Sequence, residues 1–309
     1  MGLLFKSESE MDRLFRWQCT LLEAFMPPNW FATSHRKHRA YRRWELCKAL
    51  AENGGKLATS APPAAYQEIV STMLDTLLLS KVSGSDYEQN IVGSFERYGD
   101  KRFSAFRRSR VLEPQGFDDL MTELAYGAWE VMQGAHVDPI ELQGQADMLV
   151  NRVSTNFRVV AECKRLTVST PNRVQAIVKK ANKQIRNTLR LVPGLLIVDI
   201  TPALGGRDRP NDVNVGDELE TLFQGAVGTK KNRAISAVVL VWDHYEHVVS
   251  STGRVEGLLQ RRRQVIHHNV PDIPWPASEP LFDGLTAYSD SKFVEADIDH
   301  VPLKASGGR

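Results

Sequence analysis

The sequence predicts an α/β protein: a mixed β-sheet flanked by helices, preceded by an all-helical N-terminal domain. Three observations carry this. Residues 1–112 repeat their apolar positions with a helical period and hold few β-branched runs. From residue 113 the order becomes helix, three strands, helix, strand, helix, strand, which suggests an antiparallel meander followed by parallel crossovers onto one sheet. The charge is blocked along the chain: 39 basic and 37 acidic residues give a net +2, yet residues 1–112 carry +5, 113–160 carry −6, 161–192 carry +7 and 193–309 carry −4. The expected division is therefore a helical domain over 1–112 and an α/β domain over 113–309.

Composition sets outer bounds. A chain of 309 residues holds one large domain or two of roughly 150 residues each. Apolar residues make up 42% and charged residues 25%, enough for a real core, and the small net charge excludes a highly charged disordered chain. No apolar run nears the ~20 residues of a membrane-spanning helix. The start, MGLLFKSESE, lacks the pattern of a signal peptide, and Lys6 stands where myristoylation requires Ser or Thr. Cys19, Cys47 and Cys163 form no CxxC pair and no even set. A reducing, cytoplasmic protein without structural disulfides or a zinc knuckle is expected, with no membrane partner.

The elements follow in order. Met11, Leu14, Phe15, Leu21, Leu22 and Phe25 recur on a helical period that Pro27-Pro28-Asn29 stops. Arg36 to Glu52 forms a second helix ended by Asn53-Gly54-Gly55, a third runs from Pro62-Pro63 to about Leu79, and a fourth from about Asp86 to Tyr98. Asp118 to Met132 is amphipathic and ends at Gly134. Strands are predicted over His136–Leu142, Ala146–Val153 and Phe157–Leu166, then a basic helix over Val174–Leu191, a buried strand over Leu195–Ile200, a helix over Asp212–Phe223 and a strand over Ile235–Trp242. Val255–Val265 reads as a weaker strand interrupted by Arg261-Arg262-Arg263, and the chain from Pro271 as Pro-rich and then polar.

The acidic and basic blocks meet at one place. On a strand, residues two apart share a face, so Glu162 and Lys164 project together while Cys163 points the other way, into the core. Asp147 comes beside Glu162 if the two preceding strands form a hairpin. Two carboxylates and an ammonium at one sheet edge are too costly to be idle when buried, and a hard divalent cation takes oxygen ligands of this kind. Phosphodiester hydrolysis needs such an ion to activate water, with charge stabilisation at phosphorus.

Asp147 with the Glu162-Cys163-Lys164 strand resembles the PD-(D/E)xK nuclease superfamily, the restriction-endonuclease-like fold, over about Asp118 to Trp242. The resemblance implies that Asp147 and Glu162 hold Mg²⁺, with Mn²⁺ as a substitute, together with the backbone carbonyl of Cys163. It implies that Lys164 orients or helps deprotonate the attacking water. A helical glutamate completes the family pattern: Glu123 fills that place, and Glu130, seven residues on, competes for it. Ala146 stands where the nominal motif has proline. Lys180, Lys183 and Gln184 are candidates, by analogy alone, for the polar helix residue that some relatives carry after the motif.

The bare pattern is weak. Chance gives about two (D/E)xK matches in a chain of this composition, and two occur, Glu162-Cys163-Lys164 and Asp290-Ser291-Lys292. Only the first has a strand, an upstream Asp, an upstream helical Glu and a following helix and strand around it. An exposed Glu–Lys pair on an edge strand is the alternative for it.

Spacings of three and four put Lys179 or Lys180, Lys183, Arg186 or Asn187 and Arg190 on one helix stripe with few acidic partners, which suits a phosphate backbone. The run His35 to Arg43 is a nucleic-acid arm, a partner interface or an exposed helix start; Arg102, Arg107, Arg108 and Arg110 are a weaker version. His244, His247, His267 and His268 lack zinc-site spacing, and Asp199 and Asp243 read as strand-end caps. No Ser/His/Asp signature, G-x-S-x-G elbow or phosphate-binding glycine loop is present. The expected function is a Mg²⁺-dependent nuclease, an endonuclease acting on DNA in preference to RNA, in restriction or anti-phage defence. Its helical domain serves recognition or partner binding, and a homodimer or a defence-system protein is its expected protein partner. The alternative is a non-catalytic nucleic-acid-binding or assembly protein on a nuclease-like fold.

Overall fold

A computed structural model describes residues 2–4, 8–26, 29–32, 38–52, 63–82, 114–140, 144–204, 213–229, 231–249, 255–281 and 285–289. The elements are β1 (Gly2–Leu4), α1 (Glu8–Phe25), α2 (Arg39–Glu52), α3 (Pro63–Lys81), α4 (Pro114–Met132), β2 (Ala135–Pro139), β3 (Met148–Arg152), β4 (Phe157–Arg165), α5 (Pro171–Thr188), β5 (Gly194–Asp199), α6 (Val213–Val227), β6 (Ala237–Val249), β7 (Val255–His267) and β8 (Leu285–Ser289). The strands form one sheet in the order β1-β8-β7-β6-β5-β4-β3-β2. β2, β3 and β4 are an antiparallel meander, β4, β5 and β6 run parallel through α5 and α6, and β7 and β8 return antiparallel. This is the mixed sheet flanked by helices that the order of apolar runs predicted.

Local chemistry sets the boundaries. Thr170, in an extended conformation, caps α5 by accepting from the Arg173 amide, and Pro171 occupies the first helical turn, where its missing N–H costs nothing. Gly134 ends α4 at φ +82, a left-handed conformation that glycine adopts without strain. The first residue of β5, Gly194, is a glycine where a Cβ would collide with the Ala234 carbonyl oxygen and Ile185 Cγ2. The β3–β4 hairpin turns through Val153–Asn156, with Asn156 at φ 52, and holds the register Arg152↔Phe157 to Met148↔Ala161.

Alternation along the strands separates two apolar layers. Val150, Val159, Ala161, Cys163, Leu195, Ile197 and Val239 face a cluster built with residues of α1–α4. Val160, Leu166, Leu196, Val198, Val238 and Leu240 face α5 and α6 through Val174, Val178, Ala181, Ile185, Leu219 and Phe223. Both layers are closely packed: Val150, Val159, Val160, Cys163, Leu196 and Phe223 are fully buried.

Two expectations need correction. Residues 255–267 form one continuous strand straight through Arg261-Arg262-Arg263. The Arg261 charge does not break the strand because Asp243 on the adjacent β6 and Asp75 of α3 clamp it, at 2.6 and 2.8 Å. The ends of the chain also contribute strands: Gly2–Leu4 pairs in parallel with Leu285–Ser289, at the edge of the sheet. A three-residue strand has too few positions to show a period, and its partner lies more than 280 residues away. The predicted helix from Asp86 to Tyr98 and the cluster Arg102 to Arg110 lie outside the described residues.

Candidate active site

β3 and β4 stop pairing where the candidate residues begin. The ladder ends at Met148↔Ala161, and the Asp147 amide still donates to the Ala161 carbonyl at 3.2 Å. One step further, the Asp147 side chain takes over from the backbone: Oδ2 accepts from the Cys163 amide at 2.7 Å. β4 meanwhile continues along β5 to Arg165↔Asp199. Val160 and Leu166 donate their amides to carbonyls on the β5 side, so the backbone groups of the odd-numbered residues between them point toward β3. Where β3 has departed, the Cys163 carbonyl is thus turned into the gap, where it accepts from Lys164 Nζ at 3.0 Å.

Glu162 and Lys164 share the α5 side of the sheet, two residues apart, and Lys164 Nζ forms an ion pair with Glu162 Oε1. The same ammonium stands 4.0 Å from Asp147 Oδ2. All three side chains are buried, Glu162 completely. The second oxygen of Glu162, Oε2, is buried with no hydrogen-bond partner among the described residues. A buried carboxylate oxygen left without a donor is costly and asks for a ligand. Burial, with Asp147 close by, pushes the Glu162 carboxyl well above the usual carboxylate range despite Lys164. For Lys164, burial acts to lower the ammonium, but Asp147 and Glu162 outweigh it and hold it above the ordinary lysine value. The Cys163 thiol, on the opposite face, is pushed far up by burial and by Asp147, which keeps it an unreactive core group.

The two helical glutamates separate cleanly. Glu123 is buried on α4, and its charge acts on Glu162, Cys163 and Lys164. Glu130 is bound elsewhere: both its oxygens accept from Arg152, at 3.0 and 2.7 Å, and Tyr126 donates to it. Arg152 continues to Glu279 and to the Pro280 carbonyl, and lies against the rings of Phe157 and Trp275. Glu130 therefore belongs to a tie holding segment 275–281 against the hairpin.

On α5, Lys180, Lys183 and Arg186 are exposed, as are Arg173 and Lys179; the helix ends at Thr188, so Arg190 lies beyond it, also exposed, and none of these residues forms an ion pair with a described residue. Gln184 is half-buried and turned inward: Nε2 donates to the Gln145 carbonyl at 2.9 Å, and Oε1 is buried without a partner among the described residues. Asn187, which the sequence offered only as an alternative on the basic stripe, and Thr188, which it did not single out, join it. Asn187 donates to the Gly144 carbonyl at 3.1 Å, and Thr188 Oγ1 accepts from the Ala146 amide at 2.7 Å. One row of α5 thus grips three successive residues before Asp147. Its signal was present in the spacing 184, 187, 188, hidden among the basic residues of the same helix.

Of the basic run near residue 40, residues 35–37 lie outside the described residues, and Arg42 is exposed. Of its described part, Arg39 pairs with Asp118 at 3.3 Å and Arg43 is buried against Asp75 at 2.7 Å. These belong to an ion network at the carboxyl ends of β4 and β5 and the middle of β6. Arg165 joins Asp118 at 2.6 Å and Asp199 at 3.2 Å, and Arg261 joins Asp75 and Asp243, around a cavity of about 30 Å³. Asp199 and Asp243 act here as ion-pair partners, although Asp199 also caps the turn at the Thr201 amide, at 2.9 Å. The network ties α2, α3 and α4 to the sheet.

Asp147, Glu162 and the Cys163 carbonyl are hard oxygen donors of the kind Mg²⁺ takes, and Mg²⁺ needs only one or two protein carboxylates because it keeps water and substrate oxygens. Among the described residues, no three His, Cys, Asp or Glu side chains converge closely enough to cage an ion. The unpartnered Glu162 Oε2 is the observation that fits an ion best. No helix among the described residues is long and apolar enough to cross a membrane.

No protein-family model and no curated protein matches the chain. Among solved structures, the chain is similar to the crystal structure of the central domain of yeast acetyl-CoA carboxylase, at 8% identity and a TM-score of 0.24. That match covers 85% of this chain and 57% of the other, and a likeness so distant carries no argument about fold or activity.

Proposed function

We propose that this protein is a Mg²⁺-dependent nuclease with a restriction-endonuclease-like domain over residues 113–309, cutting phosphodiester bonds in DNA. The single observation that carries this is the gap between β3 and β4. There Asp147, Glu162, Lys164 and the Cys163 carbonyl gather, with one buried Glu162 oxygen lacking a donor among the described residues. Asp147 and Glu162, with the Cys163 carbonyl, would hold the ion, and Mn²⁺ would substitute for it. Bound there, the ion supplies Lewis-acid activation of water and neutralises charge at phosphorus. Lys164 contributes a fixed positive charge toward the scissile phosphate and orients the attacking water. Glu123 sets the field at the site from α4, and Gln184, Asn187 and Thr188 hold the Asp147 segment in place. Lys180, Lys183 and Arg186, exposed on the same helix, follow the phosphate backbone. Residues 1–112 serve recognition or partner binding. A role in restriction or anti-phage defence, with a homodimer or a defence-system protein as partner, follows from the resemblance alone.

A second proposal rests on one observation: the Lys164 ammonium already stands between the two carboxylates and balances part of their charge. This favours a non-catalytic nucleic-acid-binding or assembly protein on the same scaffold. The two proposals separate in one assay. Plasmid, linear and single-stranded DNA are incubated with Mg²⁺, Mn²⁺ or EDTA, beside Asp147→Ala, Glu162→Ala and Lys164→Ala. A nuclease cuts with either metal, is silent in EDTA and is abolished by each variant while the variants stay folded. Salt-dependent binding without any hydrolysis supports the second proposal.

A further inference from the structure

Arg263, Val265 and His267 alternate along β7 and so share one face of the sheet. Val265 packs against the cluster built with α1–α4, so this face is opposite the one that carries Glu162 and Lys164. Their partners across the strand pair, Val241, Val239 and Ala237 of β6, are buried, yet Arg263 and His267 are exposed. The cover on this face therefore ends between β6 and β7. Segment 274–281 forms the other side of an open cleft of about 540 Å³ that begins there.

This second wall is held at both ends. Ser236 Oγ donates to the Ile273 carbonyl at 2.6 Å. Arg152 Nη1 donates to the Pro280 carbonyl at 2.6 Å and pairs with Glu279 at 3.2 Å. Between these ties, Trp275 Nε1 donates to the Glu279 carbonyl at 3.0 Å. Pro274, Pro276 and Pro280 fix the backbone φ at their positions in the same stretch. A wall fixed in this way is preorganised and need not be ordered when a ligand enters.

We infer that the cleft binds a mononucleotide, with its phosphate on Arg263 and His267 and its base against Pro274, Trp275 and Pro276. The volume falls within the roughly 300–1,000 Å³ of small-molecule sites, and the lining has their make-up, mostly apolar with a few polar groups on one side. The charge selects an anion. Arg263 and His267 are the exposed ionisable side chains of the lining, whereas its carboxylate, Glu279, is buried and faces Arg152. A guanidinium offers a phosphate two parallel donors, and an imidazole N–H adds another. The aromatic and proline wall opposite offers a planar base a surface to stack on. None of these residues belongs to the candidate active site, so nucleotide binding here does not depend on the proposed cleavage.

The test is calorimetric titration of the full-length protein in EDTA, which keeps metal-bridged binding at Asp147 and Glu162 out of the signal. AMP and dTMP are the probes, with adenosine and inorganic phosphate as partial ligands. At least one of the two nucleotides binds, one per chain, and the partial ligands bind at least about tenfold more weakly because each lacks one of the two contacts. Arg263→Gln weakens the nucleotide about ten- to a hundredfold, the range of one charged hydrogen bond. Ala277→Trp fills the cleft from its exposed wall, removes none of the ties and abolishes binding. Arg262→Gln, one residue away on the other face of β7, binds as the wild type does. Absence of binding by both nucleotides at millimolar concentration would overturn the inference. So would phosphate alone binding as tightly as the nucleotide, binding that survives Ala277→Trp, or an equal loss in Arg262→Gln and Arg263→Gln.

Discussion

Replacing Lys164 by methionine removes the ammonium that faces both Glu162 and Asp147 and leaves two buried carboxylates behind. The magnitude follows from the geometry. A unit charge pair at the 4.0 Å separating Lys164 Nζ from Asp147 Oδ2 is worth about 4 kcal/mol at an effective dielectric of roughly 20. Breaking a buried pair by removing one partner costs about 3–5 kcal/mol in general. Lys164→Met should thus lose about 3–5 kcal/mol, a large part of the roughly 5–15 kcal/mol that holds a domain together. The loss depends on pH with a definite sign. The folded-state pKa of Glu162 is already raised, so ionising it opposes folding, and without Lys164 it opposes folding more. The deficit is therefore greatest above the raised Glu162 value and shrinks as pH falls below it. The assay is urea unfolding at about pH 8 and about pH 5, on the wild type, Lys164→Met and Lys164→Met/Glu162→Gln. The double variant, with one charge removed, should recover most of the loss. Added Mg²⁺ should stabilise Lys164→Met as ligand binding does, by about 2.7 kcal/mol at a concentration of about 100 times its Kd. A Lys164→Met protein as stable as the wild type at about pH 8, or equally weakened at both pH values, would refute the charge assignment.

Three further outcomes are expected. Thr188→Val leaves the Ala146 amide without its acceptor, costs about 1–3 kcal/mol in urea unfolding, and lowers cleavage by displacing Asp147, whereas Thr188→Ser does neither. Changing Lys180, Lys183 and Arg186 to Gln together leaves stability unchanged and weakens DNA binding, with the slope of log K against log salt falling by about 0.9 for each phosphate that is no longer neutralised. Asp75→Asn breaks the clamp on Arg43 and Arg261 and costs about 3–5 kcal/mol near neutral pH. The Asp75 carboxyl is held below its usual value because Arg261 and Arg43 outweigh its burial. Its stabilisation is therefore present above the ordinary carboxylate pKa and lost as pH falls through the depressed one, so wild type and Asp75→Asn converge in acid.

Which features were legible in the sequence follows from their range. The helix periods and the alternation of 157–166 are local, and they placed Cys163 in the core and Glu162 beside Lys164 before any fold was known. The meander and the two crossovers followed from element order. Features resting on distant partners were not legible. Arg261 looked like an interruption because its clamp comes from Asp243 on the adjacent strand and Asp75 on a helix. The choice between Glu123 and Glu130 needed the position of Arg152, which draws Glu130 away. Thr188 looked like part of a basic helix until the 144–146 segment lay against it.

The most direct test of the central proposal is cleavage of supercoiled plasmid DNA by the purified protein with Mg²⁺, with EDTA, and with Mg²⁺ after Glu162→Gln. This substitution keeps the volume of the side chain and removes the charge an ion needs. Nicking or linearisation with Mg²⁺, and intact plasmid in the other two reactions, is the predicted result. Cleavage that persists with Glu162→Gln or in EDTA would contradict it.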